Sequence, residues 1–146
     1  MSDPSARVRG GWLPGVTLAF GGLLVGVIVL ANTGWFRGEL RWFIGTIPGG
    51  DKSVHFGLAG AMALLLNLSW RGACWRLGLL PIQQGSALVA VVCTLEELSQ
   101  LFVRARAFDP IDLLYDYLGI LVLGQVGAWI HLMSARRVLS GSGRGT

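Results

Sequence analysis

The sequence predicts an all-α fold: a polytopic membrane protein built as a four-helix transmembrane bundle. Three observations predict it. The 146-residue chain is 53% hydrophobic and 14% charged, with a mean hydropathy of +0.60, whereas a soluble domain carries about 25% charged residues. Four uncharged stretches each approach the ~20 residues a helix needs to cross a ~30 Å hydrocarbon core. The charged residues fall between those stretches, as they must if lipid surrounds the rest.

The first stretch runs from Gly10 to Phe36 without a charge and predicts a helix over about 12–33. Arg7 and Arg9 precede it and Val29-Leu30-Ala31 resembles a cleavage site. Its apolar run is longer than the 7–15 residues usual in a signal peptide, which favours a retained anchor. Ser53 to Trp70 predicts the second helix, over about 53–70. Leu77 to Leu95 leads into Glu96-Glu97 and predicts a third over about 77–101. Asp109-Pro110 reads as a helix start, with Asp as cap and Pro in the first turn, and Tyr117 to Ala135 continues it as a fourth over about 110–134. One domain, residues 1–139, contains all four helices. The Gly/Ser-rich tail, 140–146, is expected to be disordered.

The net charge is +4 and the pI about 9.8, but the basic residues are scattered in ones and twos. No basic stripe alternates with aromatics, so nucleic acid is not an expected partner. Orientation against anionic lipid explains the bases better. Seven arginines fall in the amino terminus, second loop and tail, against five bases in the first and third loops, which places both termini in the cytoplasm. Trp35, Trp42, Trp70 and Trp75 lie near predicted span ends, where indoles prefer the interface. Gly22/Gly26 and Ala59/Ala63 have spacings that permit close helix approach. Cys74 and Cys93 show no metal-ligand or redox spacing and read as packing residues.

The acids are more informative. All but Asp3 of the eight lie in loops one and three or the helix ends beside them, and with four spans these share one side of the membrane. Asp51 and His55, four apart, share a face at the start of helix two. Glu97 and Gln100 lie three apart at the end of helix three. Asp109, Asp112 and Asp116 form one stripe descending into helix four, and Arg104 and Arg106 lie in the loop between these last two sets. Capping and ion pairing explain part of this pattern. Asp116, two turns inside its helix, would cost roughly 2.5–3.5 kcal/mol unless paired or hydrated. These nine residues, together with Lys52, form a candidate polar pocket.

Asp51-Lys52-Ser53-Val54-His55-Phe56 resembles the D-K-x-x-H-F signature of the VanZ-like family of bacterial membrane proteins. Glu97-Leu98-Ser99-Gln100 resembles that family's E-x-x-Q, followed by Phe102, Arg106, Asp109, Asp112 and Gly119 in matching order. The resemblance spans about residues 12–135. Ala59 stands where a tyrosine is frequent, Arg104-Ala105 where proline-glycine is common, and Asp116 where asparagine is usual. It implies a place in the bacterial inner membrane, in the cell envelope, and a link to glycopeptide (teicoplanin) antibiotic resistance, without implying a reaction.

Three functions are therefore expected in competition. The polar pocket binds or modifies a lipid, a lipid-linked cell-wall component or an amphiphilic drug, Lys52, Arg104 and Arg106 holding anionic groups. Alternatively the chain is a small accessory subunit of a larger membrane complex. A membrane-embedded enzyme comes third, with Glu97 or Asp116 as base or a divalent metal on Asp51, His55, Glu97 and Asp112. No nucleophile–base pair, H-E-x-x-H or phosphate loop supports it, so no cofactor and no resident metal are expected.

Overall fold

A computed structural model describes residues 11–33, 37–77, 80–102 and 108–142. The fold is mostly helical. Helix α1 spans Leu13–Thr33, the short α2 Arg37–Gly45, α3 Gly50–Ser69, α4 Gln84–Ser99 and α5 Pro110–Ser142. A two-stranded antiparallel hairpin, β1 (Cys74–Leu77) and β2 (Leu80–Gln83), joins α3 to α4.

Local chemistry sets these boundaries. Gly49 (φ 84°) and Gly50 (φ 60°) turn the chain into α3 through left-handed conformations that suit glycine. Helix α3 thus starts ahead of its expected position and carries Asp51 and Lys52 in its first turn. It ends in a Schellman motif: Arg71 N–H donates to Leu68 O at 3.2 Å and Gly72 N–H to Asn67 O at 2.7 Å.

The predicted helix from Leu77 is corrected to one starting at Gln84. Pro81 lacks a donor and biases Leu80 towards extended backbone, so residues 80–83 pair as a strand, with Pro81 opposite Arg76. The first loop contains α2. Helix α5, 33 residues and about 50 Å long at 1.5 Å per residue, runs past its expected end and through Ser142. Only residues 143–146 of the expected disordered tail lie outside the described residues.

Helix α3 is central, packing most extensively on α5 and also on α1 and α4. The contact with α5 is backbone-close. A Cβ on Gly119 would run into the Phe56 carbonyl, and one on Gly60 would lie 2.7 Å from Gly119 O. Gly22 and Gly26, by contrast, have nothing within 4 Å of an added Cβ. Ala59 and Ala63 do lie in the core, with Leu66, Val89 and Ile120. Helix α1 buries only Thr17, whose hydroxyl donates to Leu13 O at 2.9 Å and lies 2.7 Å from Ser69 Oγ on α3.

Polarity is inverted relative to a soluble domain. Among the described residues the buried side chains include six polar or charged ones (Thr17, Asn67, Gln83, Glu97, Gln100, Asp116) against five apolar ones. Leu18, Val25, Leu95, Leu121 and many similar residues are exposed. Lipid resolves this, because hydrocarbon solvates leucine and leaves polar groups to find partners inside. Among the described residues three helices are long and apolar enough to cross a bilayer: α1, α4 extended by the 3₁₀ turn Gln100–Phe102, and α5 from Pro110 to Ile130. Helix α3 is not among them; with neighbours on several sides it carries Asp51, Lys52, His55, Asn67 and Ser69. The chain is thus a membrane-associated, predominantly helical protein.

Candidate functional site

The start of α3, the end of α4 and the start of α5 meet at one end of the molecule. Asp109 organises the junction. Its Oδ1 accepts the Ile111 N–H at 2.9 Å and its carbonyl accepts the Asp112 N–H at 3.0 Å, so it caps α5 as its position before Pro110 predicts. Its Oδ2 accepts from Lys52 Nζ at 3.1 Å, and its own N–H donates to Glu97 Oε1 at 2.7 Å. The Ile111 N–H and the Lys52 ammonium hold the Asp109 carboxyl below its ordinary range.

Lys52 Nζ lies 2.5 Å from Asp112 Oδ1 and 4.0 Å from Asp51 Oδ2. One step deeper, His55 Nδ1 lies 3.1 Å from Asp116 Oδ1 and Nε2 lies 3.8 Å from Asp112 Oδ2. The His55 ring nitrogen and the Asp116 carboxyl therefore share one hydrogen bond. Asp116 is thereby partnered, which answers the cost its depth predicts. Glu97, with no exposed surface, takes the Asp109 N–H on one oxygen and Gln100 Nε2 on the other at 3.2 Å. Gln100 also donates to the Glu96 carboxylate at 3.0 and 3.1 Å.

The structure therefore unites Asp51, Lys52, His55, Glu97, Gln100, Asp109, Asp112 and Asp116, and adds Glu96. Arg104 and Arg106 lie outside the described residues. The ammonium of Lys52 faces three aspartates, two of them hydrogen-bonded to it, so an anionic ligand there would have to displace them. Among the described residues no three His, Cys, Asp or Glu side chains are arranged to hold a metal. The set that the enzyme alternative would use, Asp51, His55, Glu97 and Asp112, does not converge, because Glu97 is turned towards Gln100 and Asp109.

Neither of two surface hollows belongs to this cluster. One of about 530 Å³ is lined by Gly38, Glu39, Trp42 and Phe43 of α2. One of about 230 Å³ lies between α4 and α5, lined by Ala90, Val91, Thr94, Leu95 and Tyr117. Thr94 Oγ1 donates to Ala90 O at 2.6 Å and lies 2.7 Å from the Tyr117 hydroxyl.

A second polar network, at the opposite end, escaped the sequence reading. Asn67 on α3 is buried; its Nδ2 donates to Gln83 Oε1 and, at 2.9 Å, to Ser86 Oγ. Gln83 Nε2 reaches Gln125 Oε1 on α5 at 3.2 Å. An asparagine inside an apolar run, and a Gln-Gln pair after Pro81, were the available signals. Comparison of the chain with protein-family models, curated proteins and solved structures finds no match.

Proposed function

We propose that this chain is a small VanZ-like protein of the bacterial inner membrane, a four-helix bundle with both termini in the cytoplasm. In this reading its acid-rich end, at the outer face, binds the headgroup of a lipid, a lipid-linked cell-wall component or an amphiphilic drug, and so contributes glycopeptide tolerance. One observation carries the reading. Residues from three separate segments, 51–55, 96–100 and 109–116, meet in a single array of hydrogen bonds and ion-pair contacts containing two buried carboxylates.

The array contains six acids (Asp51, Glu96, Glu97, Asp109, Asp112 and Asp116) and, from the described residues, Lys52 and His55 as bases. Carboxylates are acceptors, so the end suits a headgroup rich in hydroxyl or ammonium donors. Arg104 and Arg106 adjoin it in sequence and are the candidates for any anionic group on the same ligand. The test is expression of Glu97→Gln and Arg106→Ala in a glycopeptide-sensitive host. Both are expected to lower tolerance relative to the wild-type chain; equal tolerance at equal expression would overturn the reading.

Helix α1 supports a second reading, an accessory subunit. It buries Thr17 alone and leaves Gly15, Gly22 and Gly26 with open space around them, a surface on which another transmembrane helix can approach closely. Purification in mild detergent separates the two readings. A stable larger complex supports the subunit; a free, monodisperse chain that still confers tolerance excludes it.

A further inference from the structure

The hairpin lies at the end of the molecule away from the acid cluster, between the end of α3 and the start of α4. Its surroundings are chemically one-sided. Between Lys52 and Glu96 the sequence contains no Asp or Glu, and its only Lys or Arg residues are Arg71 and Arg76. Both are exposed, as are Trp70 and Trp75.

The register shows which face points outward. Trp75 stands opposite Ile82, and Cys74 opposite Gln83. Neighbouring residues on a strand point to opposite faces. Gln83 is buried and bonded to Asn67 and Gln125, so β2 is tied to the helices at this residue, while Cys74 and Arg76 on the same face of β1 stay exposed. The Trp75–Ile82 face is left outward, with those side chains 53% and 37% exposed.

From this we infer that the hairpin is an interfacial anchor that docks on the anionic headgroup layer of the membrane. Indole rings favour the headgroup level, and arginines beside an anionic leaflet are attracted to it over about a Debye length. The outward apolar pair enters the boundary while Arg71 and Arg76 meet lipid phosphates. The hairpin is continuous with α4, an apolar helix that ends in the same boundary, so lipid is the surface it meets. A two-stranded hairpin is marginal alone in water; this one is held by Asn67 and Gln125 on one side and by lipid on the other. The inference rests on reading the apolar helices as membrane spans.

Cys74, exposed within β1, provides the probe. The full-length Cys93→Ala protein would carry a nitroxide at Cys74 and be reconstituted in nanodiscs of phosphatidylcholine, alone or mixed with phosphatidylglycerol. Power saturation against oxygen and a water-soluble nickel chelate then reports depth. A headgroup-level position is expected, with less access to the chelate when phosphatidylglycerol is present. Arg71→Gln with Arg76→Gln is expected to abolish that lipid dependence. A label as open to the chelate as in unfolded protein, or one indifferent to lipid charge, overturns the anchor. So does spin–spin broadening, which would show a second copy covering the hairpin. Trp75→Phe is an independent check and should lose part of the fluorescence quenching by brominated lipids; unchanged quenching counts against the anchor. Protein that fails to reconstitute refutes the spans themselves, a separate result.

Discussion

Asn67 on α3 caps helix α4 from outside it: its Oδ1 accepts the Ser86 N–H at 3.2 Å. Gln83, at the N-cap position, makes no side-chain capping bond of its own, because its amide is turned towards Asn67 and Gln125. The cap is thus supplied across a helix interface, and one side chain couples the packing of α3 and α5 to the start of α4. Removing it by Asn67→Ala leaves the Ser86 N–H and the Gln83 side-chain amide oxygen without their Asn67 partner. A loss of about 1–2 kcal/mol is expected, the range for helix caps and interhelical hydrogen bonds in membranes. Unfolding in mixed detergent and denaturant measures it, and amide exchange should rise first at residues 84–87.

Glycines offer a paired test of packing. Gly119 approaches the Phe56 backbone and Gly22 approaches nothing, although both are helical glycines in apolar stretches. Gly119→Ala is expected to cost about 1–3 kcal/mol through overpacking, since backbone cannot move aside as a flexible side chain does. Gly22→Ala should be neutral or slightly stabilising, because alanine is the better helix former by about 1 kcal/mol. Equal effects in the same unfolding assay would show that the α3–α5 contact is looser than described.

Acid sensitivity should centre on Asp109. Its folded value lies below the ordinary 3.8 because the Ile111 N–H and Lys52 favour the carboxylate. A group with a depressed value contributes its full stability above the ordinary value, and that contribution is lost as pH falls through the folded one. The cap of α5 and the bridge to α3 should therefore hold at neutral pH and weaken below about pH 4. Asp109→Asn keeps a capping oxygen and removes the charge, so its stability is expected to be lower at neutral pH and flatter over the acid range. Thermal unfolding followed by circular dichroism at stepped pH checks both features.

Much of the acid end was legible because charge and helical spacing are both written locally. Asp109, Asp112 and Asp116 follow a helical stripe, and Asp109-Pro110 is a helix start wherever it occurs. What local spacing does not contain is partner choice. That Asp112 faces Lys52 while Asp116 faces His55 follows from how deeply α5 seats beside α3, which Gly60 and Gly119 set. The Asn67 network was hidden for a different reason. Asn67, Gln83, Ser86 and Gln125 are neutral, span almost sixty positions, and meet only because Pro81 turns the chain into a hairpin and delays α4. Hydropathy averaged over a window dissolves such residues into the apolar stretch around them.

Glu97 allows structural and ligand-binding roles to be separated. Its carboxylate takes the Asp109 N–H and the Gln100 amide while wholly buried. In Glu97→Gln the amide oxygen can still accept the Asp109 N–H, but the new NH₂ meets the Gln100 donor and one bond is lost. In Glu97→Ala the Asp109 N–H loses its acceptor, which costs about 1–3 kcal/mol for a buried donor. Alanine is thus expected to destabilise the protein clearly and glutamine by about half as much, in the same denaturation assay. If tolerance in the host tracks stability across the two variants, Glu97 acts by holding α4 to α5. If glutamine retains most of the stability and abolishes tolerance, the charge itself is used, and the acid end binds its ligand through it.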